Sequence, residues 1–232
     1  MPAELRTERR GATLVLTFSA PATRNRLNDE VVASAIEALS VAESDPGVCC
    51  IVLRGDGGHF CAGSEAAPDA VEASAAQLVQ FVEALGACPK PVVAAVEGRV
   101  AGAGLALVLA CDLRVVAEEA HFVRPGPAGA TVADAMAEVL FARALPRSLA
   151  LQWLWLDEAE FVRQWLACGG INRHCPAGRA FTEACAIAER LEGVPASALA
   201  SAKELVDEDA VPGLARRLAE ARTWLARHRL RG

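Results

Sequence analysis

Two glycine-bearing turns are the places in this sequence where backbone groups could do chemistry. The first turn is His59-Phe60-Cys61-Ala62-Gly63-Ser64, and the second covers residues 98–104. Each follows an apolar, strand-like run and precedes a helical pattern, and glycine there lets the backbone approach a ligand closely. Because a helix N-terminus leaves N–H donors without partners, two such turns can aim two amides at one oxygen and stabilise an oxyanion. Each turn alone could also be a simple connection between a strand and a helix, with no chemical role.

Three segments around these turns share their residues and spacing with one known family. Residues 51–55 and the first turn are similar to the pattern V-L-x-G-x-G-x-x-F-C-A-G-A-D. Residues 90–114 are similar to K-P-V-I-A-A-V-N-G-x-x-x-G-G-G-x-x-L-A-x-x-C-D, and residues 24–28 resemble K-R-N-A-L. The matches lie between residue 13 and about residue 122, at a density that chance would not give. The sequence therefore resembles the crotonase, or enoyl-CoA hydratase/isomerase, superfamily.

The resemblance implies an oxyanion hole built from two backbone amides. The family uses the amide after the C-A-G turn and that of the central glycine in G-G-G, which fall on Ser64 and Ala103. Alanine is permitted at the second position because the donor is a backbone N–H, provided that the φ value suits alanine. The ligand contacts that the resemblance implies are Arg24 in the family's basic loop, Ala62, Gly63, Gly102 and Gly104. Arg26 and Arg99 could also meet phosphates.

The two glutamates of a hydratase are absent from the matching positions. The first position holds Ala106 and the second holds Gly126. A hydratase keeps water between two carboxylates, one taking a proton and one giving it, and neither alanine nor glycine can move a proton. The sequence therefore predicts that this chain is not a standard two-glutamate hydratase.

One acid remains at a position that the resemblance makes interesting. With no gap after Cys111, Asp134 falls where the coenzyme A-linked dehalogenases of the superfamily carry their nucleophilic aspartate. An aspartate facing an oxyanion hole could attack a thioester-activated substrate or take its α-proton. Asp134 also stands just before the apolar run 135–145, so the alternative is an N-cap or a first-turn acid. We expect Glu138, one turn later, to be exposed.

Other conspicuous side chains are expected to have structural roles. We expect His59 to be a surface or packing residue and the Cys61 thiol to be inert. The tryptophans are expected in the core or in subunit contacts; they are Trp153, Trp155, Trp165 and Trp224. The eight cysteines and four histidines form no metal-ligand pattern, so no metal site is predicted.

The elements that must position the two turns are strands alternating with helices. The predicted strands are 13–18, 48–53 and 91–96, and the predicted helices are one that Asn28 caps, 71–85, one ending at Ala110, 135–145 and 214–227. A short extended piece is expected near residues 170–173. We predict an α/β fold, a crotonase-like spiral of β-β-α units with parallel sheet layers and a helical, shortened C-terminal region. The 232 residues are expected to form a single domain, with the spiral core to about residue 190 and the helical region over about 191–232.

Composition excludes several classes of partner. The net charge of −6 argues against nucleic acid, and the basic clusters at Arg6-Arg9-Arg10 and Arg227-Arg229-Arg231 are expected to be solvated chain ends. No apolar run is long enough to span a bilayer, so no membrane partner is predicted. The sequence shows no leader and no C-x-x-C spacing, which indicates a reduced, cytoplasmic protein.

Two classes of function fit these observations. The first is an enzyme of isomerase, lyase or hydrolase type that acts on an acyl-CoA thioester through an enolate or a tetrahedral oxyanion. The second is a non-catalytic or auxiliary crotonase-like subunit that assists a partner enzyme of acyl-CoA or polyketide metabolism. Coenzyme A enters as part of the substrate, and no bound cofactor is expected. The family implies a homotrimer or a dimer of trimers, although this chain ends after the helix 214–227, where most members carry another.

Overall fold

A six-stranded sheet forms the centre of the molecule in the computed structural model, which describes residues 3–65, 70–123, 131–156 and 161–207. Its strands, in spatial order, are β1 (Glu4–Arg10), β2 (Thr13–Ser19), β3 (Cys50–Gly55), β4 (Val92–Val96), β6 (Leu113–Ala117) and β8 (Arg173–Cys175). The hairpin β1–β2 is antiparallel, and every later pairing in this sheet is parallel. A second, two-stranded parallel sheet pairs β5 (Arg99–Val100) with β7 (His121–Phe122).

Helices cover both faces of the large sheet. They are α1 (Asp29–Ser44), α2 (Val71–Ala87), α3 (Ala103–Ala110), α4 (Val132–Ala144), α5 (Arg147–Leu156), α6 (Phe161–Ala167), α7 (Ala180–Leu191) and α8 (Ala196–Asp207). Strands β3 and β4 are apolar without alternation because both of their faces are buried. On one face they pack with α1, α2, α3 and α4, and on the other with α7. The alanines at positions 180, 184 and 188 let α7 approach the sheet closely.

The predicted fold class is confirmed, with a mixed α/β architecture and a mainly parallel sheet. Each strand and helix predicted between residues 13 and 110 is present, and Asn28 caps α1 by accepting a hydrogen bond from the Val31 amide at 2.9 Å. The predicted helix 135–145 is α4, and the extended piece expected near 170–173 overlaps β8 (Arg173–Cys175) only at Arg173. The predicted helix 214–227 and the basic cluster around Arg229 lie outside the described residues.

Strand β1 was not predicted, because nearly all of its side chains are exposed on both faces and leave no apolar alternation. The arginines that we expected at a solvated chain end are indeed exposed, yet they belong to an ordered edge strand. Arg6 pairs with Glu4 at 2.6 Å, Arg10 with Glu8 at 2.7 Å, and Arg9 with Asp45 of the loop after α1 at 2.8 Å. The charges leave this strand poorly suited to pairing with another sheet edge.

The aromatic residues of the helical half form one packed cluster. Trp153 stacks on Phe161 with ring centroids 4.2 Å apart, and Trp165 lies 5.2 Å from Phe161. Trp153 and Trp165 are therefore core residues, whereas Trp155 is 71% exposed. Trp224 is outside the described residues. None of the helices that the structure describes is long and apolar enough to cross a membrane.

Candidate active site: two turns joined through their backbones

The structure brings the two glycine-bearing turns together. The Cys61 amide donates a hydrogen bond to the Arg99 carbonyl at 3.2 Å, and the Ala101 amide donates to the Cys61 carbonyl at 3.0 Å. These bonds make a parallel bridge between Cys61 and Val100. The relative position of the turns is therefore set by backbone hydrogen bonds rather than by flexible side chains.

Ser64 lies at the end of the first turn with its amide directed away from the neighbouring chain. The Leu27 amide donates to the Gly63 carbonyl at 2.9 Å, and the Glu65 amide donates to the Leu27 carbonyl at 2.8 Å. Because backbone groups alternate in direction along an extended chain, the Ser64 N–H between these two bonds points to the opposite side. Arg26 fixes the same segment by donating to the Ser64 carbonyl at 2.9 Å.

Ala103 is the first residue of α3, where a backbone N–H has no partner within the helix. Gly102 precedes it with a φ of 49° and provides no side-chain cap. Among the described residues, neither the Ser64 N–H nor the Ala103 N–H donates to any protein acceptor. Two free amide donors thus stand on two turns that hydrogen bonds hold together.

The close approach of these turns depends on glycine. A Cβ placed on Gly104 would collide with the Cys61 carbonyl oxygen and lie 2.8 Å from the Cys61 Cβ. Gly102 and Gly63 both have positive φ values, and a Cβ on Gly102 would lie 3.6 Å from the Gly63 Cα. The predicted ligand-contact residues Gly63, Gly102 and Gly104 therefore lie together, with Ala62 next to them on the first turn.

Asn25 is a residue of this region whose role was not predicted from the sequence. It is fully buried with a φ of 59°, and its Oδ1 accepts from the Ala20 amide at 2.9 Å. Its Nδ2 donates to the carbonyls of Asp56 and His59, both at 2.8 Å. Asn25 therefore ties the basic loop to the first turn. The available signal was that Asn25 matches the asparagine of K-R-N-A-L. An amide side chain that is buried needs several hydrogen-bond partners, so it can join neighbouring loops.

Arg24 lies in the same loop with its side chain exposed and a φ of 56°. Its carbonyl accepts a hydrogen bond from the Ala62 amide at 2.9 Å, so the loop backbone is fixed against the first turn. The predicted contact of Arg24 with a phosphate stays a prediction.

His59 and Cys61 have bracing roles in the turns. The His59 Nδ1 accepts from the Arg99 amide at 3.2 Å, which links the two turns a second time. The Cys61 thiol contacts the Gly63 carbonyl at 3.3 Å, and burial raises the pKa of Cys61 to about 12. A thiol with that pKa stays protonated at neutral pH and is a poor nucleophile.

The position that the resemblance assigns to the first hydratase glutamate is part of the core. Ala106 lies on α3, one turn after Ala103, and is completely buried among apolar side chains. The position of the second, Gly126, lies outside the described residues. The described part of the site therefore offers no carboxylate on α3.

Asp134 is the third residue of α4 and is only 8% exposed. Thr131 is the N-cap of the helix: its hydroxyl accepts from the Asp134 amide at 3.1 Å and donates to the Asp134 Oδ2 at 2.7 Å. Of the two alternatives to a catalytic role, the structure thus shows the first-turn acid and not the N-cap. Helix α4 packs against α3, the helix that begins at the Ala103 amide.

Glu138 was predicted to be exposed and is instead half-buried. It follows Asp134 by one helical turn, so the two carboxylates share a face of α4. Burial, and then the charge of Asp134, raise the pKa of Glu138 above its ordinary value. Glu138 was wrongly placed because the apolar spacing of α4 does not distinguish a half-buried flank from the solvent face.

Comparisons with known proteins agree on one family. The family model described as "Enoyl-CoA hydratase/isomerase" matches residues 8–227. A putative enoyl-CoA hydratase of Thermus thermophilus is 34% identical over 214 residues, which are 88% of this chain and 83% of that protein. The 2,3-dehydroadipyl-CoA hydratase of Escherichia coli is 29% identical over 94% of this chain and 88% of its own length.

Solved structures show the same relationship. An enoyl-CoA hydratase from Polaromonas sp. JS666 superposes with a TM-score of 0.77 at 35% identity, covering 97% of this chain and 91% of that one. A monofunctional enoyl-CoA isomerase from Mycobacterium smegmatis gives a TM-score of 0.75 at 25% identity, covering 90% and 93%. The chain belongs to the enoyl-CoA hydratase/isomerase family.

Proposed function

We propose that this protein binds an acyl-CoA thioester with the carbonyl oxygen between the amides of Ser64 and Ala103. The observation that carries the proposal is the pair of free N–H donors on turns that the Cys61 hydrogen bonds join. Donors fixed in this way stabilise the negative charge of an enolate or a tetrahedral oxyanion without having to reorganise during the reaction. Membership of the enoyl-CoA hydratase/isomerase family supports the choice of a CoA thioester as the ligand.

The rest of the ligand is assigned to residues beside the two amides. The backbone at Ala62, Gly63, Gly102 and Gly104 leaves room for the thioester, and the exposed Arg24 meets a phosphate of the CoA moiety. Coenzyme A is thus part of the substrate rather than a resident cofactor.

The reaction that we propose uses one carboxylate rather than two. Ala106 has no group that can move a proton, so water is not held between two glutamates in this site. Asp134 is assigned as the base or nucleophile. A single carboxylate suffices for isomerisation of a double bond, because it can take a proton from one carbon and return it to another. As a base, the same group could remove the α-proton while a β-substituent leaves with the electron pair, which is a lyase reaction. As a nucleophile, it would attack the thioester carbonyl, expel CoA thiolate and leave an acyl anhydride that water hydrolyses, which is a hydrolase reaction.

A second candidate function rests on the contact between Thr131 and Asp134. Since the Asp134 carboxylate accepts a hydrogen bond from the N-cap of its own helix, its burial is explained without any catalytic role. The chain would then be a non-catalytic or auxiliary subunit that binds a thioester and assists a partner enzyme of acyl-CoA or polyketide metabolism.

The binding proposal is tested by a thermal-shift screen of the isolated protein against a panel of acyl-CoAs, with free CoA as the control. A ligand that binds the native state raises apparent stability, and the free thiol lacks the carbonyl that the amides would hold. We expect acyl-CoAs to raise the Tm more than CoA does. Equal shifts for CoA and all acyl-CoAs would contradict a carbonyl-binding site.

Mass spectrometry of the same mixtures separates the two candidate functions. Conversion of an acyl-CoA by the isolated protein supports the enzyme and excludes a purely auxiliary subunit. Binding without conversion, together with acceleration of a partner enzyme on mixing, supports the auxiliary role.

A further inference from the structure

Arg114 lies on β6 and reaches back to the C-terminal end of α3. Its Nε donates to the Val108 carbonyl at 3.0 Å, and its Nη2 donates to the carbonyls of Leu109 at 2.8 Å and Cys111 at 2.9 Å. A longer contact of 3.4 Å joins Nη1 to the Gly170 carbonyl. One guanidinium thus satisfies carbonyls that the helix leaves without partners.

Helix α3 needs such a group because its own sequence provides none. It has eight residues, no charged residue in its first or last turn, and no side-chain cap at Gly102. Residues 103–109 are buried, so water does not reach the helix from the side. The N-terminal end carries the free Ala103 amide, and the C-terminal end is held by Arg114.

The backbone of Arg114 is fixed as firmly as its side chain. Its amide donates to the Asn172 Oδ1 at 2.8 Å, and the Asn172 amide donates to the Arg114 carbonyl at 3.0 Å. The guanidinium also lies 5.9 Å from the centroid of the Trp165 ring. Through Arg114, the end of α3 is therefore tied to the edge of the large sheet.

The positive charge of Arg114 lies at the C-terminal end of α3 and acts along the helix axis on a group bound at the Ala103 amide. The hydrogen bonds of the guanidinium given above go to carbonyl oxygens, and the negative charge of Asp112 also acts on it. Eight helical residues place this charge about 12 Å from the Ala103 amide. At an effective dielectric constant of about 20, a charge at that distance changes the stability of an oxyanion roughly fivefold to tenfold. The helix dipole has the same sign, positive at the Ala103 end.

We propose that Arg114 is a positioning residue for the oxyanion hole, acting through α3. It sets the direction of the Ala103 amide by fixing the opposite end of the helix, and its charge reinforces the positive N-terminal end. This inference rests on the proposed function, since it assumes that an acyl carbonyl lies at the Ala103 amide.

The test measures the polarisation of a bound carbonyl directly. Butyryl-CoA labelled isotopically at the thioester carbonyl is bound to the wild type and its variants, and the carbonyl stretch is read by isotope-edited infrared spectroscopy. The position of the band reports only on bound, folded protein, so partial unfolding changes its intensity but not its frequency. The variants are Arg114→Lys, which keeps the charge, and Arg114→Gln and Arg114→Met, which remove it.

We expect a shift to lower frequency in the wild type, a largely retained shift in R114K, and a clearly smaller shift in R114Q and R114M. For a substrate that the wild type turns over, kcat is expected to fall roughly fivefold to tenfold in R114Q, with a smaller effect on KM. The matched control is Arg6→Met, because it also removes an arginine charge but Arg6 is exposed on strand β1, pairs with Glu4 at 2.6 Å and is not among the residues that hold α3. The control is expected to retain the wild-type band position.

Two results would overturn the inference, and they can be told apart. A wild-type shift that R114K and R114Q both retain would show that Arg114 has only a packing role, with the oxyanion hole intact. A bound probe whose carbonyl band is unshifted in the wild type itself would refute the proposed function, and the role of Arg114 with it.

Discussion

At the scale of single residues, Asp134 is the group on which catalysis depends in our account. Its carboxylate is buried and bonded to Thr131, and we propose that it faces the acyl group. We predict that Asp134→Ala abolishes turnover and leaves acyl-CoA binding unchanged, because binding uses the Ser64 and Ala103 amides. The check is a comparison of product formation with the ligand-induced Tm shift for the same acyl-CoA.

The matched control for this substitution is Glu138→Gln, which removes the other carboxylate on the same face of α4. We expect E138Q to keep most of the turnover. Retained turnover in Asp134→Ala would refute the catalytic assignment and leave Asp134 as a first-turn acid of its helix.

Thr131 should contribute to stability whichever role Asp134 has. Loss of an N-cap hydroxyl costs about 1 kcal/mol of unfolding free energy, since the first-turn amides lose an acceptor. We predict that Thr131→Ala lowers stability by about this amount and that Thr131→Ser does not, as serine keeps the hydroxyl. Urea unfolding of the three proteins measures the difference, and equal stabilities would show that the cap contributes nothing.

The raised pKa of Glu138 leads to a prediction of pH dependence. A carboxyl group whose pKa is higher in the folded state than in the unfolded state favours folding when it is protonated. This contribution is complete below the unfolded pKa, about 4.3, and is lost as the pH rises through the folded pKa.

We therefore expect Glu138→Gln to be more stable than the wild type at neutral pH, with the difference disappearing below about pH 4. Thermal unfolding across this range measures it. A constant difference at all pH values would contradict the cause that we assign, namely burial of the charged form and its repulsion by Asp134.

At the scale of elements, the contact between α3 and the first turn is the most sensitive to added volume. A methyl group on Gly104 would collide with the Cys61 carbonyl oxygen, so one of the two turns must move. We predict that Gly104→Ala costs about 1–3 kcal/mol and reduces acyl-CoA binding, because overpacking at this point separates the amides of Ser64 and Ala103.

A second glycine provides the control. Gly86 lies within α2, and a Cβ placed there meets no atom within 4 Å. Gly86→Ala should stabilise the protein by about 0.5–1 kcal/mol and leave binding unaffected, since alanine favours the helix. Binding that is equal in both variants would show that the spacing of the turns does not matter to the ligand.

Some of the strands and helices could be predicted from the sequence, and others could not. Strands β2, β3 and β4 and helices α1, α2 and α3 were predictable because burial imposes apolar runs or helical spacing on them. Strand β1 was not predictable, since its exposed charges remove the alternation. Strand β6 was not predicted as a separate strand, because its first residues fall in the segment 90–114 that was matched to the family pattern. Both turns were located by their glycines and by their similarity to the family patterns.

Side-chain partners could not be predicted in the same way. The bonds of Asn25 to Asp56 and His59, and those of Arg114 to the end of α3, join residues through the folded backbone rather than through a sequence pattern. The contact between Thr131 and Asp134 is local, and the spacing T-x-x-D was the signal that could have revealed it.

At the scale of the whole molecule, the two turns are held by a scaffold whose parallel strands are packed on both faces. Helices α1, α2 and α3 cover one side of β3 and β4, and α7 covers the other, so the strands that lead into the turns have little freedom. The family assignment also covers most of the chain, since the family model matches residues 8–227. Assembly as a homotrimer or a dimer of trimers stays a prediction, as does the role of the exposed Trp155 in a subunit contact.

The most direct test of the account is a crystal structure of the protein with the acyl-CoA that gives the largest thermal shift. We predict that the thioester carbonyl oxygen lies about 2.7–3.1 Å from both the Ser64 and the Ala103 amide nitrogens. An acyl-CoA bound with its carbonyl oxygen beyond hydrogen-bonding distance of either amide would contradict the central claim.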